Sequence, residues 1–145
     1  MATLLLDSCV LVKWFTDESD SDRALEILAQ SLDGRLMLAY ANLSLFEFAN
    51  ALLFKRQFTA DEITEALAAL QALDMLRLDF SPKALDRSVE LSMQYDIAIY
   101  DGYLVAVAEQ NQMVLLTADQ KLIRRCFAHK SVADLTIHKL PSEAQ

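Results

Sequence analysis

Residues 4–15 read LLLDSCVLVKWF, a run of leucines followed by an aspartate and then by an apolar pattern of helical length. The same order, a short apolar run and then a helical pattern, recurs to the end of the chain. The predicted strands are residues 4–6, 36–39, 75–78, 113–116 and 135–138. The predicted helices are residues 9–15, 21–32, 43–57, 60–73, 82–95, 101–111 and 120–128. Strands that alternate with helices predict an α/β fold, with a five-stranded parallel sheet and helices on both faces.

The chain has 145 residues, and a chain of this length buries roughly 68–70% of its extended surface, enough for a core without metals or disulfides. We therefore expect one domain, residues 1–145. The two glycines, Gly34 and Gly102, are too few for the dinucleotide fingerprint and badly placed for a P-loop. Charges interrupt every apolar run before the roughly 18 residues of a membrane span. Cys9 and Cys126 lie far apart and no secretion signal opens the chain, so we expect a reduced, cytoplasmic protein.

Three of the predicted helix starts carry sequence signals. Thr59 and Glu62 form a capping box, and Ser81 is followed by Pro82 at the first helical position. An acidic run at residues 17–22 lies where another helix begins, and acidic side chains there complement the helix dipole. These signals support helices that begin near residues 21, 60 and 82.

Two aspartates follow predicted strands. Asp7 comes directly after residues 4–6, and Asp119 lies shortly after the fourth predicted strand. Open parallel sheets bind ligands at the carboxyl ends of their strands. Each aspartate also has a structural explanation, because Asp7 can cap the next helix and Thr117 with Gln120 can form a capping box around Asp119. Both interpretations stay open for each residue.

Glu47 lies in residues 43–54, a helical segment that is apolar on nearly every side and is therefore expected to be buried. A buried carboxylate must be neutralised, paired with a cation or bound to a metal. Asn50, three residues later, faces the same way and can hold the carboxylate in place. The structural alternative is a salt bridge from Glu47 to a lysine or arginine elsewhere in the chain.

Asp101 opens another strongly apolar helix, and its structural alternative is an amino-terminal cap. Asp96, five residues earlier, competes as the functional acid of this region. We expect Asp96 near the end of the preceding helix and in a loop, where a solvated carboxylate needs no special explanation. Asp101 is therefore the preferred candidate.

The candidate acids are Asp7, Glu47, Asp101 and Asp119. If they meet at one edge of the sheet, they raise each other's pKa values unless a cation screens them. Such a cluster predicts a hard divalent metal, and oxygen ligands favour Mg²⁺ or Mn²⁺ over Zn²⁺. Cys126 and His129 have half of a zinc-site spacing, but no second pair accompanies them.

Four segments together resemble the PIN-domain family, in particular the VapC-type toxin ribonucleases of bacterial and archaeal toxin–antitoxin pairs. The matching segments are LLLDSCVLVKWF around Asp7, LFEFANAL around Glu47, YDGYLVAVA around Asp101 and LLTADQKL around Asp119. They occur in the family's order and at its approximate spacing, from the first strand to near the last helix. Four motifs in order make a specific signal.

The resemblance implies an acidic, Mg²⁺-dependent pocket that cleaves the phosphodiester bonds of single-stranded RNA, in the toxin of a type II toxin–antitoxin system. Carried over by residue, it implies an acidic quartet of Asp7, Glu47, Asp101 and Asp119, with Ser8, Asn50 and Thr117 as supporting polar groups. We expect Asp7 and Asp101 to bind metal directly. We expect Asp119 to bind it directly or through water. Glu47 is then a further ligand or the group that orients the attacking water.

The resemblance also implies two protein partners, an antitoxin that covers the site and a second copy of the toxin. Trp14 and Phe15, in the first short helix near Asp7, are candidates for the antitoxin contact, and packing into the core is their structural alternative. The chain departs from the family pattern at Ala41, where many members carry proline, and at Gly102, where alanine is common. Neither departure removes a carboxylate, although a glycine near a helix start costs some helix stability.

The formal charge of −8 is unusual for a protein that binds RNA phosphates. The four candidate acids contribute −4, which leaves −4 for the rest of the chain, and two Mg²⁺ ions would offset the site. Basic residues that flank the acidic motifs or the last predicted helix are candidates for a phosphate track, namely Lys13, Lys55, Arg56, Lys121, Arg124, Arg125 and Lys130. The alternative is that they complement helix dipoles and keep the surface soluble.

Three other functions compete with the ribonuclease. A phosphoaspartyl phosphatase usually needs a second aspartate two residues after Asp7, where this chain has Cys9. A receiver-type signalling domain needs an acidic pair at the first strand, which is also missing. A PIN-like scaffold that no longer cleaves is the third, although the presence of all four acids argues against it.

Overall fold

The computed structural model describes residues 2–141, which form an α/β domain. The strands are β1 Thr3–Leu6, β2 Met37–Ala41, β3 Leu76–Leu78, β4 Val114–Thr117 and β5 Val132–Asp134. The helices are α1 Ser8–Val12, α2 Ser21–Leu32, α3 Asn42–Lys55, α4 Ala60–Ala72, α5 Pro82–Tyr95, α6 Ile99–Gln110 and α7 Gln120–Arg125. The predicted domain bounds at residues 1 and 145 lie outside the described residues.

The five strands form one sheet in the order β3-β2-β1-β4-β5, and every neighbouring pair is parallel. Leu5 of the central strand β1 pairs with Ala39 of β2 on one side and with Leu115 of β4 on the other. The chain winds outward from β1 in both directions, so the strand order reverses between β1 and β4. In open α/β sheets a crevice forms at the carboxyl ends of the strands where the order reverses.

Helices cover both faces of the sheet, as predicted. Leu4 and Leu6 of β1 point to a core shared with α1, α2, α3 and α4, whereas Leu5 points to a second core shared with α5, α6 and α7. Each of these three leucines is at most 3% exposed. A central strand buried on both faces explains why residues 4–6 are a continuous leucine run without polar alternation.

The fifth predicted strand, residues 135–138, is wrong by three residues, because β5 covers Val132–Asp134 and a turn follows it. The Asp134 carboxylate causes the turn by accepting hydrogen bonds from the Thr136 backbone and hydroxyl, at 2.9 and 2.8 Å. The Ile137 backbone N–H also folds back onto the Asp134 carbonyl. The apolar residues after Asp134 therefore belong to a turn, not to a strand.

Helix α1 ends at Val12, so Trp14 and Phe15 lie in the turn after it. The prediction that both residues belong to the helix is therefore wrong. The Trp14 indole N–H donates to the Ala24 carbonyl at 2.8 Å, and the Phe15 ring packs edge-on against Phe48 at 5.3 Å. Both side chains contact the first core. The structure thus supports core packing for this pair, and its contact with an antitoxin stays a prediction.

The acidic run before α2 pairs mainly with a lysine. Lys13 is nearly buried, and its Nζ lies 3.1 Å from Glu18 and 2.8 Å from Asp20. Burial alone would lower the pKa of Lys13, but the hydrogen bonds that Lys13 donates to the two carboxylates outweigh it and raise that pKa. Within the run, only Asp22 lies in the first turn of α2, so the predicted dipole effect accounts for one acid of the group.

Helix α6 begins at Ile99, two residues before the predicted start at Asp101, and Ala98 is its N-cap residue. Asp101 is therefore inside the first turn and does not cap the helix. None of the helices in the described part of the chain is long and apolar enough to cross a membrane.

Candidate metal centre

Asp7 lies at the carboxyl end of β1, in the crevice next to β4, and is 6% exposed. The Thr117 hydroxyl donates a hydrogen bond to Asp7 Oδ2 at 2.7 Å. Burial raises the pKa of Asp7, the charge of Asp119 raises it further, and hydrogen bonds from Thr117, Cys9 and the Ser8 backbone oppose the rise. Asp7 is the N-cap residue of α1, but its side chain makes no capping hydrogen bond, because the Ser8 N–H belongs to the first helical residue and not to the second or third. The structural alternative for this residue therefore fails.

Thr117, the last residue of β4, links the two strand-end aspartates. Its fully buried hydroxyl donates to Asp7 and accepts a hydrogen bond from the Asp119 backbone N–H at 3.1 Å. The predicted capping box between Thr117 and Gln120 does not form, because Asp119 itself is the N-cap residue of α7. Thr117 therefore supports Asp7, the role that the resemblance implied for it.

Asp119 serves as a helix cap and also contributes charge to the crevice. Its Oδ1 accepts hydrogen bonds from the backbone N–H groups of Lys121 and Leu122, at 3.0 and 3.3 Å. The residue is exposed, yet its negative charge raises the pKa of both Asp7 and Asp101. The two interpretations of Asp119 are thus compatible, since one carboxylate oxygen caps α7 while the group faces the other acids.

Glu47 lies on α3 and is half-buried. Burial, and then the charges of Asp7 and Asp101, raise the pKa of Glu47 to about 7. Its Oε1 atom is buried and has no hydrogen-bond partner among residues 2–141. The alternative of a salt bridge fails within the same residues, because no lysine or arginine pairs with Glu47. A carboxylate with an unpaired buried oxygen is a group that a cation would stabilise.

Asp101 faces the same crevice from α6. Burial raises the pKa of Asp101 to about 6, with further contributions from the charges of Asp7 and Asp119, while Lys121 lowers it. Asp96 is exposed in the left-handed position that ends α5, and its carboxylate pairs with Arg125 at 3.2 Å. The structure therefore separates Asp96 from the four acids and brings Asp101 among them.

The two remaining supporting residues behave differently. The Ser8 backbone N–H donates to Asp7, so Ser8 contributes through its main chain. Asn50 is exposed and makes no hydrogen bond with Glu47, because Glu47 Oε1 has no partner in the described residues and no hydrogen bond to Asn50 contributes to the Glu47 pKa. The predicted contact between Asn50 and Glu47 is therefore wrong, although both side chains line the same cleft.

Cys9 is a contact of this site that the sequence analysis missed. Its thiol lies 3.5 Å from the Thr117 hydroxyl and accepts the Ala118 backbone N–H at 3.4 Å. Burial, followed by the charge of Asp7, raises the pKa of the Cys9 thiol to about 12, so the sulfur stays protonated and uncharged. The available signal was its position in the first turn of the helix that begins after Asp7.

The four carboxylates share one crevice, since Asp7, Asp101 and Asp119 each raise the pKa of at least one other acid, and the pKa of Glu47 is itself raised by Asp7 and Asp101. In the conformation seen here, no three His, Cys, Asp or Glu side chains of residues 2–141 stand close enough to hold one metal ion together. The donor set still fits a hard divalent cation, because it consists of carboxylate oxygens and one of them, Glu47 Oε1, is buried without a partner. Binding would require the carboxylates to draw closer.

Cys126 and His129 do not form a second metal site within the described residues. Cys126 is buried in the second core. His129 accepts the Ser131 backbone N–H at 3.0 Å and lies 3.6 Å from Glu109. Packing and local hydrogen bonds explain both side chains.

Comparison with known proteins agrees with this architecture. The PIN-domain family model matches residues 4–128. A search of curated protein sequences found no match. Similar solved structures include a toxin–antitoxin complex from Klebsiella pneumoniae, with 18% identity and a TM-score of 0.66 over 91% of this chain and 97% of that chain. Another is VapBC2 from Rickettsia felis, bound to a promoter DNA fragment. It is 16% identical, with a TM-score of 0.67 over 91% of this chain and 98% of that chain.

A third similar structure is the Mycobacterium tuberculosis toxin VapC20, described as cleaving the Sarcin-Ricin loop. It is 13% identical, with a TM-score of 0.63 over 76% of this chain and 84% of that chain. At these identities the solved structures support the fold, and the family model spans all four acidic motifs. The chain belongs to the PIN-domain family.

Proposed function

We propose that this protein is a metal-dependent endoribonuclease, the toxin of a type II toxin–antitoxin pair, that hydrolyses RNA at Asp7, Glu47, Asp101 and Asp119. One observation carries the proposal. Four carboxylates from four different segments share the crevice at the strand-order reversal, and burial together with the charges of neighbouring acids raises the pKa values of Asp7, Glu47 and Asp101. A site that holds unfavourable negative charge is suited to a divalent cation.

In this proposal Asp7, Asp101 and Asp119 hold Mg²⁺, and Mn²⁺ can substitute. When bound, such a cation supplies the positive charge that stabilises the phosphate transition state. Thr117 and the Ser8 main chain fix the Asp7 carboxylate, and the cap of α7 fixes one oxygen of Asp119. Glu47 orients the attacking water, since its Oε1 atom has no hydrogen-bond partner among residues 2–141.

We propose RNA as the substrate and an antitoxin protein as the inhibitor. VapC20, one of the similar structures, is described as a toxin that cleaves the Sarcin-Ricin loop. Two others are described as a toxin–antitoxin complex and as VapBC2 bound to promoter DNA. We also propose that the protein acts in the cytoplasm, where its RNA substrate is found.

A homodimer is proposed on the basis of an exposed apolar stripe on α5. Leu85, Val89 and Met93 occur at intervals of four residues, which puts them on one helix face, and all three are exposed. Contiguous apolar surface of this kind marks a protein interface more often than a free surface. Light scattering on the purified protein tests this, with a dimer mass expected for the wild type and a monomer mass for Leu85→Glu combined with Met93→Glu.

The experiment for the proposed activity uses protein freed of any inhibitor. We expect cleavage of RNA in Mg²⁺ or Mn²⁺, loss of cleavage in excess EDTA, and recovery when Mn²⁺ is added back. A small phosphodonor, tested in parallel, should label no aspartate. Labelling without RNA cleavage would support the phosphatase or receiver-type function, and neither activity would support the inactive scaffold.

A further inference from the structure

A cleft of about 710 Å³ opens beside Glu47, between α3 and the start of α6. Its walls include Phe46, Asn50 and Leu53 from α3 and Tyr100 from α6. The volume is in the range of small-molecule and cofactor sites. Tyr100 also lines a smaller hollow of about 210 Å³, together with Phe80 and Tyr103, whose rings stack at 6.2 Å. Tyr100 therefore stands between two apolar depressions next to the acidic crevice.

The side chains of this cleft expose aromatic surface to water. Phe46 is 76% exposed and Tyr100 is 58% exposed, although each lies within one residue of a candidate catalytic acid, Glu47 or Asp101. The Asn50 side chain, exposed on the same wall, offers an amide donor and an amide acceptor. Aromatic faces with a nearby amide match the two features of an unpaired nucleobase, which stacks through its ring and hydrogen-bonds through its edge.

The cleft is also continuous with the acidic crevice. Glu47 belongs to both, and Tyr100 immediately precedes Asp101 in α6. Lys121 of α7 is also close enough to Asp101 to lower the pKa of that residue. A nucleic acid strand whose reacting phosphate lies at the carboxylates would have a neighbouring base at the cleft and a further phosphate near Lys121. A purely apolar peptide would use neither Lys121 nor the Asn50 amide.

We propose that this cleft binds an unpaired base of the substrate, next to the phosphate that is cleaved, with Phe46 and Tyr100 as stacking surfaces and Asn50 as the edge-reading group. The inference rests on the proposed ribonuclease function and assigns to it a surface that contacts a substrate base. None of these three residues needs to bind metal in this proposal.

The test is a binding measurement that does not depend on cleavage. A short single-stranded oligoribonucleotide carrying non-hydrolysable linkages is titrated against wild type, Phe46→Ala, Tyr100→Ala and Tyr100→Phe. Stacking on an aromatic side chain predicts a roughly 5- to 100-fold loss of affinity for each alanine variant and near-complete retention for Tyr100→Phe. Phe54→Ala is the matched control, because Phe54 lies on the same helix with 73% exposure but does not line the cleft.

A second titration uses an oligonucleotide of the same length whose bases are replaced by abasic sites. It should bind more weakly than the normal strand, and the alanine variants should bind it as the wild type does. If Phe46→Ala and Tyr100→Ala bind the normal strand like wild type, or if Phe54→Ala loses as much affinity, the base site is refuted. Loss of antitoxin capture without loss of RNA affinity would assign the cleft to a protein partner instead.

These outcomes also separate the inference from the function on which it rests. Failure of the wild type to bind or cleave any RNA in Mg²⁺ or Mn²⁺ would refute the ribonuclease itself. Normal cleavage by Phe46→Ala and Tyr100→Ala, with unchanged KM, would refute only the base site.

Discussion

Glu47 shows most directly how the local environment sets the state of a carboxylate. Burial and the charges of two neighbouring aspartates raise the pKa of Glu47 to about 7, from an ordinary value near 4.5. Replacing Glu47 with Gln removes this charge without changing the shape. In metal-free protein above pH 7 we expect Glu47→Gln to unfold with a free energy at least equal to that of wild type, and up to about 1–3 kcal/mol higher.

The same variant should lose most of its RNA cleavage. Lost cleavage together with unimpaired stability distinguishes a functional carboxylate from a structural one. Chemical denaturation of the metal-free proteins measures the stability, and a cleavage assay in Mg²⁺ measures the activity. A large loss of stability in Glu47→Gln would mean that the carboxylate stabilises the folded protein, which would refute the proposed repulsion among the acids.

The pH dependence of stability follows from the same shifts. The pKa values of Glu47 and Asp101 in the folded protein are about 7 and about 6, above their ordinary values of 4.5 and 3.8. Between the ordinary and the raised pKa of each group, the folded metal-free protein therefore binds more protons than the unfolded chain. Stability from these groups is therefore highest at low pH and is lost as the pH rises through about 4 to 7. Added Mg²⁺ or Mn²⁺ should restore it, with the larger gain above pH 7, where the carboxylates are ionised.

Thermal melts between pH 5 and 8, with and without the cation, measure this effect. Asp7→Asn serves as the comparison, since it should lose most of the gain from the cation. A gain from Mg²⁺ that does not change with pH would contradict the proposed ligands.

Sequence reasoning identified the four acids but not their surroundings. Asp7 and Asp119 could be found because they follow apolar strands, and Glu47 and Asp101 because they interrupt apolar helices. The hydroxyl of Thr117 between the two strand-end aspartates, the Cys9 thiol beside it and the absence of an Asn50–Glu47 contact depend on side-chain distances across the sheet. One sequence does not contain such distances, and for that reason the supporting contacts were only partly predicted.

At the level of helices, the crossing of α5 and α6 depends on Gly102. A methyl group at this position would lie 2.4 Å from Ser92 Oγ and 2.9 Å from the Ser88 carbonyl oxygen. Alanine, common here in the family according to the resemblance, has the better helix propensity by about 1 kcal/mol. We expect the clash to dominate, with Gly102→Ala destabilising the protein by roughly 1–3 kcal/mol.

Urea denaturation of Gly102→Ala, alone and combined with Ser92→Ala, checks this prediction. The second substitution removes the closest contact, so it should recover part of the lost stability, while the Ser88 carbonyl remains in the way. If Gly102→Ala were as stable as wild type, the close approach of the two helices would be without energetic importance.

Helix positions were predicted better than their exact ends. The capping box at Thr59 and Glu62 and the Ser81 cap before Pro82 form as expected, because these signals act within one turn of chain. The end of α1 was placed too late because Trp14 and Phe15 continue the apolar pattern after the helix. The start of α6 was placed too late because Asp101 resembles a helix cap, whereas the N-cap residue is Ala98, which offers no side-chain cap. The turn after β5 was mistaken for a strand because the Asp134 side chain overrides the apolar pattern.

For the whole molecule, the charge of −8 leaves RNA binding to a few basic groups. Of the basic residues predicted to form a phosphate track, Lys13, Lys55 and Arg125 have carboxylate partners. The described residues provide no carboxylate partner for the remaining track residues, namely Arg56, Lys121, Arg124 and Lys130. Of these four, Lys121 is different because its charge lowers the pKa of a candidate acid, Asp101. Lys121→Ala should therefore weaken RNA binding for all sequences and reduce the slope of log affinity against log salt by about 0.7–1.

RNA titrations at several salt concentrations measure that slope. Lys83→Ala is the control, since Lys83 is an exposed lysine on α5 that lines a hollow to which none of the four candidate acids contributes. Equal slopes for wild type and Lys121→Ala would remove Lys121 from the phosphate track.

The central claim is that four carboxylates act together as one cation-dependent ribonuclease site. The most direct measurement is the rate of RNA cleavage in Mg²⁺ by wild type, Asp7→Asn, Asp101→Asn and the control Asp96→Asn, each verified as folded by circular dichroism. We expect a loss of at least about 100-fold for the first two variants, in keeping with the loss of charge stabilisation at a reacting centre, and a near wild-type rate for Asp96→Asn. Full activity in folded Asp7→Asn and Asp101→Asn would contradict the account.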